Sequence, residues 1–184
     1  LLRQALATSD DLECPGSSGS SLARLVEIYD AIPDETISTA GLSKVLTVIQ
    51  SYEDEGLCQK YALTAIAKAY VGLSISELQR QGLDQTLAVA RSMSGTGWDA
   101  KYKTGAMAEI ALNYQKIGDN EKAYLILEEA TTIAVGLEDS MNIADALMPI
   151  IKAYGQLDNK DIAQVNLREI LDIVPSLKTS SSGD

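Results

Sequence analysis

The sequence predicts an all-α protein with no sheet, built as a stack of about four helical hairpins, and three observations carry that reading. First, one nine-residue phrase is written four times, as SLARLVEIY from Ser21, ALTAIAKAY from Ala62, AMAEIALNY from Ala106 and ALMPIIKAY from Ala146. Each copy has Leu or Met at its second place, Leu or Ile at its fifth and a closing Tyr, which sets the apolar residues on one helix face. Second, the closing residues Tyr29, Tyr70, Tyr114 and Tyr154 recur at intervals of 41, 44 and 40 residues, the period of a helical repeat array. Third, the chain is 46% hydrophobic yet has no Phe and one Trp. Its apolar mass is Ala, Leu, Ile and Val; Ala and Leu favour helix, and small side chains let helices pack closely.

In chain order, residues 1–19 precede the array. LLRQALATSDDL at its start has apolar residues at helical spacing and reads as the second helix of an earlier hairpin, and the Pro/Gly/Ser-rich stretch from Cys14 is a loop. The array is expected over 20–174, with repeats at 20–52, 56–93, 99–136 and 140–174. In the first repeat a helix over Ser20–Ala31 is stopped by Pro33 and followed by one over Leu42–Tyr52. In the second, Gly56–Val71 is followed by Leu83–Met93. Gly41-Leu42 and Gly82-Leu83 each lie twelve residues beyond the repeat tyrosine. The first two hairpins are therefore expected to share a long connection, with an extra turn in SISELQRQ. The later repeats are tighter: Gly118 suits a left-handed helix end, Asp119 and Asn159 suit N-caps, and helices follow over Asn120–Val135 and Lys160–Ile173. SGTG before Trp98 reads as a loop, Pro175 is expected to end the last helix, and 175–184 reads as a disordered polar tail.

The formal net charge of −11 and the absence of a Lys/Arg cluster argue against a nucleic-acid partner, and the same charge disfavours anionic membrane surfaces. No apolar run approaches the ~20 residues of a membrane span. A first residue that is not Met leaves a processed chain and an excised domain equally open. Without a His, the nucleophilic Ser-His-Asp and Cys-His sites and most transition-metal sites are excluded. No phosphate-binding glycine loop is present, and the paired carboxylates Glu53 to Glu55, Glu128-Glu129 and Glu138-Asp139 read as solvated surface. No cofactor and no metal is expected, and the chain does not read as an enzyme. Cys14 and Cys58 each precede a repeat tyrosine, so a disulfide between them is one reading and two free thiols the other. A disulfide would indicate an oxidising, exported location; free thiols leave the cytosol open.

The third repeat, with Met107, Ile110, Ala111, Tyr114, Gly118, Ala123, Leu127 and Ala130, resembles the tetratricopeptide (TPR) pattern of a large residue, an apolar pair, Tyr, then Ala, a large residue and Ala. The fourth follows with Leu147, Ile150, Ile151, Tyr154, Ala163, Leu167 and Ile170. The repeats run 40–44 residues against the family's ~34, so the resemblance is to a TPR-like array. It implies a right-handed α-solenoid and a non-enzymatic module that binds a peptide or protein segment in a concave groove. The groove positions lie two, six and nine residues before each tyrosine: Glu27, Ala23 and Ser20; Lys68, Thr64 and Tyr61; Leu112, Ala108 and Gly105; Lys152, Met148 and Asp145. Of these, Tyr61, Thr64, Lys68, Ala108, Leu112, Met148 and Lys152 are the candidate contact residues. The alternative role is a structural spacer or self-association unit within a larger protein or assembly.

Overall fold

The computed structural model describes residues 21–51 and 56–177. Eight α-helices and one short 3₁₀ helix, with no strand, account for the described residues: α1 Ser21–Asp30, α2 Glu35–Ser51, α3 Gly56–Gly72, α4 Ser76–Ser92, the 3₁₀ turn Gly97–Asp99, α5 Ala100–Lys116, α6 Asn120–Val135, α7 Ser140–Gln156 and α8 Lys160–Leu177. The all-α prediction holds. The expected helix and loop over residues 1–19, and the tail beyond Leu177, lie outside the described residues.

Three boundaries differ from expectation. The first two hairpins have no long connection, because α2 and α4 begin seven residues earlier than predicted, at Glu35 and Ser76 rather than Leu42 and Leu83. Asp34 makes the first of these starts: its Oδ1 accepts from the amides of Thr36 at 2.9 Å and Ile37 at 3.2 Å, satisfying donors that would otherwise be orphaned. The surplus residues extend the second helices instead of the turns, so each hairpin turn is only three or four residues long. The last helix passes through Pro175 to Leu177, since proline's fixed φ is itself helical and only one late amide bond is forfeited. Pro149 likewise sits inside α7. The caps predicted at Asp119 and Asn159 form, with Asp119 accepting from Lys122 N at 3.2 Å and Asn159 from Ile162 N at 3.3 Å. Gly118 has φ +83°, the left-handed conformation expected at that helix end.

The helices fall into two compact units divided between Met93 and Ser94. In the first, α1 packs on α2 and α3, and α4 on α2 and α3. The repeat tyrosines shape this packing. A Cβ at Gly41 would fall within the Tyr29 ring, and one at Gly82 within the Tyr70 ring. The phenol therefore lies flat against a glycine of the partner helix, and the Tyr-to-Gly spacing of twelve is the same in both hairpins. The Ser74 amide donates to Glu35 Oε1 at 2.7 Å, tying the start of α2 to the turn of the next hairpin. In the second unit α5 packs on α6 and α7, α7 on α6 and α8. An equivalent tie runs from the Tyr124 hydroxyl of α6 to the Asn159 carbonyl at 3.0 Å. Each unit has an apolar core, including Leu63, Ile66 and Leu83 in the first and Met107, Ile110 and Leu127 in the second. Each such side chain contributes roughly 1.5–3 kcal/mol relative to exposure.

Candidate functional site

Five of the sequence-selected groove positions come together in the first unit. Ala23 and Glu27 of α1, with Tyr61, Thr64 and Lys68 of α3, line one open depression of about 540 Å³, and Val26, Asp30, Ala65 and Ala69 complete it. They meet because both helices carry a repeat tyrosine in their last turn and pack side by side. Residues at equal distance before Tyr29 and Tyr70 then share a level, so Ala23 stands level with Thr64, and Glu27 with Lys68. Asp30 was not among the selected positions because it follows the tyrosine. It is nevertheless one turn beyond Glu27 on the same face, a spacing that was available in the sequence.

The floor of this depression is alanine and threonine, and its charges sit on the walls. Glu27, Asp30 and Lys68 are exposed, as is Tyr61 at 50%. None of the three charged groups forms an ion pair among the described residues. Lys60 Nζ lies 5.6 Å from the centre of the Tyr61 ring. Thr64 is unusual among the helical threonines. Thr39, Thr47, Thr86, Thr131 and Thr132 each donate to the carbonyl four residues back, at 2.7–3.2 Å. Thr64 Oγ1 is buried and has no hydrogen-bond partner among the described residues.

In the second unit the same positions behave differently. Ala108 and Gly105 are buried, because α5 and α7 approach closely enough for Thr104 Oγ1 to donate to the Ala146 carbonyl at 2.9 Å. Ala108 therefore offers almost no surface. Leu112 is half-buried, and Met148 and Lys152 are exposed, Met148 at 53%. Asp145 is engaged by Lys101 at 3.7 Å, whose ammonium also lies 3.2 Å from the centre of the exposed Trp98 ring. Two further hollows occur in this unit. One of about 210 Å³ lies between α6 and α8 over Tyr154, whose hydroxyl is pushed up to about 12 by burial, with the Glu128 and Glu169 carboxylates adding to the rise. The other, of about 600 Å³, is bounded by the loop at Gly95–Gly97 and the α6–α7 turn. Lys103 on its wall is held below the usual lysine range by burial, against the opposing pull of Glu129.

No group of three or more metal-ligating side chains exists among the described residues, and no helix among them is long and apolar enough to cross a membrane. Cys58, half-buried in the first turn of α3, is disulfide-bonded; Cys14 lies outside the described residues. Comparison with protein-family models, curated proteins and solved structures finds no match to this chain.

Proposed function

We propose that the chain is a non-enzymatic protein–protein interaction module: a TPR-like, right-handed solenoid segment whose first-helix face receives a peptide or protein segment. The observation that carries this reading is the convergence of Ala23, Glu27, Tyr61, Thr64 and Lys68 on one depression of the first unit. Its small alanine side chains, exposed aromatic ring and exposed charges suit a chain segment rather than a reacting small molecule. The exposed Met148 and Lys152, with half-buried Leu112, are candidate contacts of the second unit. A comparison of proteins retained from native extract by the wild-type chain and by the Tyr61→Ala/Lys68→Glu variant tests this. Partners lost from the variant are expected; an unchanged set would count against the groove.

The alternative, self-association, is favoured by one observation. On α8, Ile162, Val165 and Leu171 are exposed at 42%, 55% and 61%. A mass by light scattering that stays monomeric at high concentration would remove it.

A further inference from the structure

We infer that the exposed stripe of α7 docks antiparallel on the same stripe of a second copy, giving a two-fold dimer centred near Met148. Met141, Ala144, Met148 and Ile151 stand thirteen, ten, six and three residues before Tyr154 and are all exposed, Met141 at 65% and Met148 at 53%. Steps of three and four residues put them on one helix face. On α5 the same offsets hold Lys101, Thr104, Ala108 and Ala111. The last three are buried where α7 packs, with Thr104 bonded to the Ala146 carbonyl. This is therefore the face by which one first helix meets the next. Nothing among the described residues covers it on α7. A closing helix of a stacked array ordinarily turns polar side chains outward, yet this one carries two methionines and an isoleucine there.

The charges beside the stripe identify the occupant. Asp145 and Lys152 are seven residues apart, two helical turns, so they share one edge of the stripe. Asp145 stands three residues before Met148 and Lys152 four after it. A two-fold axis crossing the helices there runs the copies antiparallel and keeps that edge in common. Asp145 of each copy then faces Lys152 of the other, twice over, whereas a parallel partner would set like against like. The stripe is its own complement in charge as well as in apolar surface, which is what a two-fold interface requires. Met148, unbranched and adaptable, packs against its counterpart at the axis. Asp145 already meets Lys101 at 3.7 Å, and a carboxylate has lone pairs for a second cation. One helix per copy is a small interface, so a dissociation constant on the order of 10–100 μM is expected. A copy seated here withdraws Met148 and Lys152 from peptide contact, leaves the α1–α3 depression open and uses none of α8.

The test is sedimentation equilibrium of the intact chain from about 1 to 500 μM, a range that brackets the expected constant. Physiological salt, with a screening length of about 8 Å, damps the repulsion between two chains of net charge −11 while leaving close pairs. Wild type is expected to pass from monomer to dimer, and Met148→Glu to weaken this at least tenfold with unchanged helical circular dichroism. Asp145→Lys and Lys152→Glu should each weaken it as much, since each alone sets like charges across the axis. An equimolar mixture of those two variants should dimerise within about threefold of wild type, because every pair across the interface is again opposite. A chain that stays monomeric throughout, a dimer indifferent to Met148→Glu, or a mixture no better than its components would overturn the proposal. A dimer lost on Val165→Glu but kept on Met148→Glu would also overturn it, in favour of α8. None of these outcomes bears on the α1–α3 depression, which Tyr61→Ala/Lys68→Glu tests separately.

Discussion

Replacing Gly82 with alanine is expected to destabilise the protein by about 2–4 kcal/mol, although alanine is the better helix former. The added methyl would fall within the Tyr70 ring, against the rigid Cγ and Cδ1 rather than a flexible tip. Tyr70 is 2% exposed and cannot swing aside without unpacking. A few tenths of an ångström of give do not relieve such an overlap, so either α4 separates from α3 or the ring leaves its site. Losing a buried aromatic costs about 3–5 kcal/mol, which sets the scale of the strain. The helix-propensity gain of about 1 kcal/mol offsets part of it. For a chain of this size the net loss corresponds to a fall in Tm of roughly 5–15 °C. Urea unfolding followed at 222 nm measures it, with Gly155→Ala in α7 as the control. That glycine has nothing within 4 Å of an added Cβ, so alanine there should stabilise by up to about 1 kcal/mol. If Gly82→Ala matched Gly155→Ala in sign, the tyrosine-on-glycine account of the hairpin would be wrong.

Burial pushes both Tyr70 and Tyr154 up to about 12, above the ordinary 10 of an unfolded chain. The stability they contribute is thus complete below pH 10 and lost as pH rises toward 12, which the urea midpoint and phenolate absorbance should follow together. Glu35 is shifted the other way, held below its ordinary 4.5 by hydrogen bonds from Ser74. Its contribution is present above that pH and lost as pH falls through the lowered value, so Glu35→Gln should flatten the acid limb of the stability profile. A Cys14–Cys58 bridge is expected to leave no thiol reactive in denaturant before reduction. The two lie 44 residues apart (58−14), and opening a loop of that length costs about 4 kcal/mol on the chain-entropy account, read as a drop in urea midpoint.

The first helices were legible because each buries the same stripe against its neighbours, so the phrase ending in Tyr29, Tyr70, Tyr114 and Tyr154 returns. The starts of α2 and α4 were harder to read. Glycines at Gly41 and Gly82 look like turn residues, yet they lie in mid-helix because a tyrosine ring occupies the space of their missing side chains. Glycine's two uses, turn and close approach, are indistinguishable without knowing what stands opposite. In the same way the rule that picked Thr64 and Lys68 also picked Ala108, which close packing of α5 on α7 buries. Helical spacing gives the face of a residue, not how near the neighbouring helix will come.

Whether a helical threonine uses its hydroxyl on its own backbone is likewise settled by packing, and this predicts two substitutions of opposite sign. Thr104 is fully buried and its hydroxyl bonds the Ala146 carbonyl, so Thr104→Val, nearly equal in shape, should cost about 1–2 kcal/mol. Thr64 Oγ1 is buried without a partner, so Thr64→Val removes a desolvated group and should stabilise by about 1 kcal/mol. Urea midpoints of the two variants at one pH decide the matter. Were Thr64→Val to destabilise as Thr104→Val does, the hydroxyl would have a partner within the folded chain.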